Sequence, residues 1–273
     1  HLSIRRQRQM CIRDSTGAKA PVNLYVFPLY LIMKAAQIRA PRSIHIIEID
    51  DPVLTDCPTD HIIVRLKRAC LCGSDSPFFA YDLSRVRNEA PEELTISTEF
   101  LEIETEEVYP LRIGLSLHEC VGTVIRSASS KFKEGDYVLA LPEYQNGYQE
   151  NLCIPSSRAI HLPENTVSIE EMVLTQPLGT VIWACRKLEK VIGADVVIIG
   201  LGPIGLFFSH LLANLGARRV ITLDRIPSRL EAGEKMHATH RINIDAEDPL
   251  EAVRNITGGK MADIVVDLSL IHI

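Results

Sequence analysis

Residues 195–205, with the sequence DVVIIGLGPIG, decide the fold of the second half of the chain. They place an apolar, β-branched strand directly before a glycine loop, and an apolar helix follows until Gly216. The loop has the pattern GxGxxG and consists of Gly200, Leu201, Gly202, Pro203, Ile204 and Gly205. Its first glycine permits a tight turn, its second lets a pyrophosphate approach the backbone, and its third lets the helix pack on the strand. The stretch therefore predicts a dinucleotide site at the N-terminus of a helix.

An acidic residue ends the next predicted strand. Asp224 closes the sequence RVITLD and lies 19 residues after Gly205, where a carboxylate can bind the adenosine ribose hydroxyls. A carboxylate there repels the ribose phosphate of NADP, so the sequence predicts NAD as the cofactor. Arg225 follows Asp224 directly and weakens that preference slightly.

The remaining pattern divides the chain into two regions. From residue 195 onward, near-continuous apolar strands alternate with helices predicted at 203–215, at 227–236 and near 248–256. That alternation is typical of a parallel, doubly wound α/β sheet. Residues 33–160 instead carry short alternating strands broken by glycine and proline, which predicts a β-rich domain. A helical region is predicted between them, at residues 168–188.

Length and composition exclude several classes of protein. The chain has 273 residues, with 46% apolar and 23% charged residues, and this composition is typical of a globular protein of about two domains. No apolar run reaches the roughly 20 residues that a membrane-spanning helix needs. The net charge of −6 argues against binding to nucleic acid phosphates. Seven cysteines, an odd number, do not suggest a secreted disulfide framework, so we expect a reduced, cytoplasmic protein.

The two ends of the chain differ from the rest. Residues 1–15 are basic and lack an apolar period, and residues 5–15 resemble the translation of a transposase-type sequencing adapter. Residues 268–273, LSLIHI, resemble the translation of its reverse complement. We therefore expect residues 1–32 to be a non-native leader, adapter-derived over 1–15 and translated upstream sequence thereafter, and 268–273 to be an adapter-derived tail.

Two consequences follow from this interpretation of the ends. Without the five basic residues and one acidic residue of 1–32, the net charge changes from −6 to −10, which removes the case for a basic nucleic-acid arm. The native sequence would then stop inside the second domain. We therefore expect the fragment as written to be inactive, although its gene would encode an active enzyme.

Three residues of the first region offer metal-ligand chemistry. Cys72 opens the sequence CGSD after a predicted strand, and His118 and Glu119 precede Cys120. Each is weak evidence alone, because a single buried cysteine or histidine usually serves packing. Together they offer a thiolate, an imidazole and a carboxylate, which Zn²⁺ accepts while keeping a position for water or substrate. A zinc ion there would act as a Lewis acid on a bound alcohol.

An ordered set of five features resembles the zinc-dependent medium-chain dehydrogenase/reductase family, near its sorbitol and threonine dehydrogenase branch. The features are CGSD (72–75), HECVG (118–122), FKEGDYV (132–138), GLGPIG (200–205) and a strand that ends in an acid. The resemblance implies a GroES-like β-barrel catalytic domain over residues 33–190. It implies the first part of a Rossmann domain over 191–267, an active site between the two, and a homo-oligomer when the protein is complete.

The resemblance also implies roles for individual residues. Cys72 and His118 would be ligands of one catalytic zinc, with Glu119 a ligand or its near neighbour. Ser74 would be the hydroxyl that relays the substrate proton, and Asp75 a buried acid behind the ligands.

Several positions depart from the family pattern. Leu117 stands where a glycine usually precedes His-Glu, and Pro77 where a relay histidine is often found. Gln176 occupies a position that often supplies an acidic or thiol ligand, and its neutral amide would contact a metal only through water. The four-cysteine structural zinc lobe is absent, since residues 135–155 contain only Cys153.

Two further features are assigned no chemistry. Four cysteines are expected to be ordinary core thiols, namely Cys57, Cys70, Cys120 and Cys185. The segment 89–107 holds eight glutamates in nineteen residues, and we interpret it as a solvated loop or an insertion beside the substrate cleft.

Three functional hypotheses remain open at this point. The first is an NAD-dependent, zinc-dependent dehydrogenase of a small alcohol or polyol. The second is a non-enzymatic NAD-binding protein with a decayed site, which Leu117, Gln176 and Pro77 would permit. The third is a zinc-free quinone or enone reductase of the same fold, against which the pairing of Cys72 with His118 argues.

Overall fold

An antiparallel and a parallel sheet organise the computed structural model, which describes residues 31–84, 108–163 and 167–268. From residue 32 onward the chain forms one compact unit. The glutamate-rich segment 89–107 and nearly all of the two predicted non-native ends lie outside the described residues. No helix within the described ranges has the length and apolar character needed to cross a membrane.

The first region is the β-rich domain that the sequence predicts. A hairpin of β1 and β2 precedes a five-stranded antiparallel sheet in the order β6-β3-β4-β5-β7. The strands are β1 Ile32–Ala40, β2 Ser43–Asp50, β3 His61–Cys70, β4 Glu119–Ser127, β5 Tyr137–Ala140, β6 Asn151–Pro155 and β7 Ala159–His161. A short 3₁₀ turn, Gly73–Asp75, and helix α1, Ser76–Ala80, follow β3.

Side-chain alternation gives this curled sheet two apolar faces. The inner face forms the barrel core and includes Ile62, Val64, Cys120, Val138, Ala140 and Ile154. On the outer face, Val121 and Leu139 pack with Met172 and Val173. The outer face is therefore covered by the helices that follow the barrel.

Those helices replace the single predicted helical region of residues 168–188. Helix α2 is Ile169–Met172 and helix α3 is Thr175–Cys185. Ser168 and Glu171 form a capping box at the start of α2, with the Ser168 Oγ accepting from the Glu171 N–H. Pro177 lies in the first turn of α3, where the missing N–H costs no helical hydrogen bond.

The second region is a four-stranded parallel sheet in the order β10-β9-β8-β11. Its strands are β8 Asp195–Ile199, β9 Arg219–Asp224, β10 His240–Asn243 and β11 Ile264–Asp267, and its helices are α4 Pro203–Asn214, α5 Pro227–Lys235 and α6 Pro249–Ile256. The first strand, β8, therefore lies between the second and fourth strands. Successive strands are added on one side of β8 up to β10 and on its other side from β11, and a doubly wound sheet opens a ligand crevice where the strand order reverses in this way.

The cysteine expectation is wrong for one residue. Cys57 is joined to Cys153 by a disulfide rather than being a free core thiol. Cys57 lies just before β3, Cys153 lies in β6, and the pairing of these strands brings their Cα atoms within 6.7 Å. As expected, Cys120 and Cys185 are free and buried, whereas Cys70 is free but only half-buried.

Candidate functional site

Strand pairing brings the predicted metal ligands together. In the register of β3 and β4, Cys70 lies opposite Glu119. Cys72 follows the end of β3 by two residues, and His118 immediately precedes β4. An antiparallel pair joins the end of one strand to the start of the other. The 45 residues between Cys72 and His118 in the sequence therefore do not separate them in space.

The three side chains form a compact donor cluster. The Cys72 Sγ, a ring nitrogen of His118 and a carboxylate oxygen of Glu119 all lie within 4.8 Å of one another. Cys72 and His118 are half-buried and Glu119 is buried. Within the described ranges, this is the group of three or more histidine, cysteine or acidic side chains that could hold a metal ion.

Asp75 links the two segments that carry this cluster. Its buried carboxylate accepts the Cys72 N–H through Oδ2 at 2.7 Å and the Leu117 N–H through Oδ1 at 3.0 Å. Burial opposes its charge, but His118 and these backbone donors outweigh burial and hold the pKa of Asp75 below its ordinary value. The carboxylate is therefore placed to orient the cluster from behind, as the resemblance implies.

The His118 ring is aligned by the same carboxylate. Its Nδ1 lies 3.6 Å from Asp75 Oδ1 and has no hydrogen-bond partner among the described residues, although it is buried. The interaction with Asp75 raises the pKa of His118 against the effect of burial. An imidazole held this way through Nδ1 presents Nε2 to a metal, which is the usual carboxylate-histidine-metal arrangement.

Burial raises the pKa of two neighbouring side chains, Glu119 in the cluster and Cys120 behind it. Burial raises the pKa of Glu119, opposed by the Cys72 thiol and by His118. Cys120 is adjacent in sequence but faces the barrel core, where burial raises the pKa of its thiol to about 12. Cys120 is therefore an inert core thiol.

The remaining predicted residues of this region are placed as follows. Ser74 is exposed on the 3₁₀ turn that contains Asp75. Gln176 lies in the first turn of α3 and lines an open cleft of about 560 Å³.

Two neighbouring features were not predicted from the sequence. Leu117 has a φ of +80°, a conformation that glycine adopts more easily. Gly147 approaches so closely that a Cβ there would lie 2.4 Å from the Leu117 carbonyl oxygen. The positive φ could have been anticipated from the sequence, because Leu117 stands where the family pattern has a glycine.

The glycine loop has the geometry that its three glycines predict. Gly200 has a φ of +94° at the turn. A Cβ on Gly202 would meet nothing within 4 Å, whereas a Cβ on Gly205 would lie 2.0 Å from the Gly200 carbonyl oxygen. Pro203 and Ile204 begin helix α4. The loop is therefore open at its second glycine and tightly packed at its third.

Asp224 ends β9 and reaches this loop. Its Oδ2 accepts the Leu201 N–H at 2.8 Å and its Oδ1 accepts the Ile226 N–H at 2.9 Å. Arg229 Nη1 lies 3.6 Å from Oδ2. Arg225 points elsewhere, with Nη2 at 3.5 Å from Asp245 on the surface.

Comparison with known proteins agrees with this arrangement. A family model described as zinc-binding dehydrogenase matches residues 203–272. The chain is 29% identical to sorbitol dehydrogenase of Bacillus subtilis over 261 residues, covering 85% of this chain and 67% of that protein. It is 26% identical to L-threonine 3-dehydrogenase of a Marinomonas species over 242 residues, covering 86% and 69%.

A solved structure shows the same fold. An oxidoreductase/dehydrogenase of unknown specificity from Escherichia coli superposes with a TM-score of 0.72 at 24% identity, covering 88% of this chain and 71% of that one. The two regions are thus a GroES-like barrel and a Rossmann-type sheet. The chain spans about two thirds of the length of the relatives that it matches.

Proposed function

Because the chain belongs to the zinc-dependent medium-chain dehydrogenase/reductase family, we propose that it transfers a hydride between an alcohol or polyol and NAD at one catalytic zinc. The observation that carries this proposal is the convergence of Cys72, His118 and Glu119 within 4.8 Å. Residues 33–190 would form the catalytic domain and residues 191–267 the first part of the cofactor domain.

The donor set fits zinc. A thiolate, an imidazole and a carboxylate are all zinc ligands, and three protein ligands leave the fourth position that a catalytic site needs. The buried His118 Nδ1 facing Asp75 is the second contact expected of a metal-bound histidine. When bound, zinc supplies Lewis-acid polarisation of the alcohol oxygen, and NAD supplies the hydride acceptor.

The chain's own residues supply orientation and proton transfer. Asp75 fixes His118 and the backbone of Cys72, so the donor cluster is preorganised. Ser74 is one residue from Asp75 and exposed, so its hydroxyl can accept the substrate proton and pass it to water. Gln176 lies on the helix that faces the sheet and would contact the metal through water.

The glycine loop and Asp224 form the dinucleotide end of the site. Gly202 leaves room for the pyrophosphate at the N-terminus of α4, where the helix dipole favours an anion. The Asp224 carboxylate ends β9 beside this loop and disfavours the ribose phosphate of NADP. The substrate is a small molecule, and we propose a cytoplasmic homo-oligomer that binds neither nucleic acid nor a membrane.

Metal content and turnover test the proposal together. The wild-type chain should hold one zinc by elemental mass spectrometry, and Cys72→Ala should lose it. In a version of the protein as long as its relatives, the same variant should abolish NADH formation. Cys185→Ala removes another free thiol, buried away from the cluster, and should keep its zinc. A protein that holds no zinc but reduces quinones or enones with NADPH would contradict the proposal and favour the zinc-free reductase.

A further inference from the structure

The open cleft beside Gln176 lies between the barrel and helix α3. Its floor is formed by Leu139, Leu141 and Ile160, and its wall by residues of α3 that include Gln176 and Trp183. We propose that this cleft receives the hydrocarbon body of the substrate and that Gly179 keeps it open. The inference rests on the proposed function and assigns its substrate class, an alcohol with an aliphatic chain or an aromatic ring rather than a polyol.

Strand register connects the cleft to the donor cluster. In the pairing of β4 with β5, Cys120 lies opposite Ala140 and Val121 opposite Leu139. One residue further, the same register places Leu141 opposite Glu119. Glu119, Val121 and Leu139 alternate onto the outer face of the sheet, where Val121 and Leu139 pack with Met172 and Val173 just before α3. The cleft and the Glu119 carboxylate therefore share one face and adjacent strands.

The lining chemistry favours hydrocarbon. Both hydroxyls of the α3 wall are already used by helix carbonyls, since Thr175 donates to Met172 and Thr180 donates to Gln176. A polyol loses hydrogen bonds to water when it enters a site, and each must be replaced. The floor of Leu139, Leu141 and Ile160 offers no such replacement and the wall adds only the Gln176 amide, whereas an alkyl chain or ring needs none.

Gly179 lies on the α3 face that lines the cleft, and packing does not require a glycine there. A Cβ at Gly179 would meet nothing within 4 Å. Glycine is a poorer helix former than alanine, so a glycine within α3 lowers helix stability for no gain in packing. What the glycine does provide is space in the cleft, and this observation is independent of the apolar lining.

The chain contains its own reporter for this site. Trp183 is the one tryptophan in the sequence and forms part of the cleft wall. Its fluorescence should change saturably when the wild-type protein is titrated with 1-hexanol. Sorbitol, the hydrophilic comparison, should leave the fluorescence unchanged at the same concentrations.

Variants of the cleft separate binding from folding. Gly179→Leu should weaken 1-hexanol binding at least about tenfold, because it fills the cleft. Ile160→Gln, at a residue that is 54% exposed, should also weaken binding without unfolding the protein. Ile182→Phe adds bulk to α3 outside the cleft and should bind 1-hexanol like the wild type.

Two results would overturn the inference. One is unchanged 1-hexanol binding by both Gly179→Leu and Ile160→Gln, and the other is a saturable response to sorbitol equal to that of 1-hexanol. Zinc content is measured on the same samples. Binding of 1-hexanol without zinc would defeat the proposed function alone, and zinc without a hexanol response would defeat the cleft alone.

Discussion

At the scale of single residues, Asp75 is the point where two distant segments meet. It holds the backbone of Cys72 and of Leu117, which is 42 residues away, and it faces the His118 ring. A carboxylate behind a histidine ligand fixes the ring orientation and raises its basicity as a ligand. We therefore propose that Asp75 positions the metal site rather than binding the metal.

Replacing this carboxylate should weaken metal binding without removing a ligand. Asp75→Asn keeps the shape but loses the charge, and zinc affinity should fall about 10- to 100-fold in a competition titration with a chelating dye. Asp136→Asn is the matched control, because Asp136 is also buried and accepts a backbone N–H, from Lys133 at 2.8 Å. Equal zinc affinity of Asp75→Asn and the wild type would show that Asp75 does not position the site.

Asp224 is the residue that should govern cofactor choice. Asp224→Ser removes the carboxylate that repels a ribose phosphate, while Arg225 and Arg229 remain nearby. The ratio of NADP to NAD affinity should rise about tenfold, which corresponds to about 1.4 kcal/mol. Titration calorimetry with each cofactor measures the ratio, and Glu231→Gln, which breaks an exposed pair with Lys235 on α5, is the control. A wild-type protein that already prefers NADP would contradict the assignment.

The sequence predicts the residues of the site better than their contacts. The glycine loop was predictable because the local backbone geometry requires each glycine, as in the close approach of Gly205 to Gly200. The cluster of Cys72 and His118 was predictable from its motif. The hydrogen bond from Leu117 to Asp75 and the Cys57–Cys153 disulfide were not, because both depend on cross-strand register over 42 and 96 residues.

At the scale of elements, helix α3 serves packing and the site on different faces. Val181 and Cys185 are buried against the Rossmann sheet, whereas Gln176 and Trp183 line the cleft. The helical region was predicted from its apolar residues, but its division into α2 and α3 was not. Which residues of α3 face the cleft depends on how the helix packs on the barrel, and sequence periodicity alone does not determine that packing.

The glycine in this helix should be a place where stability can be gained. Gly179→Ala should raise the free energy of unfolding by about 0.8–1.0 kcal/mol, because alanine favours the helix and its methyl group meets no neighbour. Urea unfolding followed by circular dichroism measures the change. Gly205→Ala is the contrasting variant and should be destabilising, since its Cβ would lie 2.0 Å from the Gly200 oxygen. Destabilisation by Gly179→Ala would show that the helix packs more tightly there than described.

At the scale of the whole molecule, the parallel sheet carries different chemistry at its two ends. The carboxyl ends of β8 and β9 hold the glycine loop and Asp224. At the opposite end, the fully buried Asp195 begins β8 and accepts hydrogen bonds from Arg218 and Arg219 at the start of β9. At the carboxyl end the Asp224 carboxylate thus accepts backbone N–H groups, whereas at the opposite end Asp195 forms ion pairs with arginines.

That ion pair should make the sheet sensitive to acid. The hydrogen bonds from Arg218, opposed by burial and helped by Arg219, hold the pKa of Asp195 below its ordinary value. A group whose pKa is lowered by folding stabilises the protein above its unfolded pKa, which is about 3.9 for an aspartate, and that contribution is lost as the pH falls through the folded pKa. Stability should therefore decline below about pH 4 as Asp195 takes up a proton.

Comparing variants at two pH values isolates this contribution. At pH 7, Asp195→Asn should lower the free energy of unfolding by about 2 kcal/mol, the worth of hydrogen bonds to a buried charge. The difference from wild type should shrink as the pH falls from about 4 through the folded pKa of Asp195, and it should then level off because the wild-type residue is neutral as well. Asp245→Asn breaks an exposed pair with Arg225 and should change stability by less than about 0.5 kcal/mol at pH 7. If urea unfolding gave the same Asp195→Asn penalty in acid as at neutral pH, the Asp195 carboxylate would stabilise the sheet through shape rather than charge.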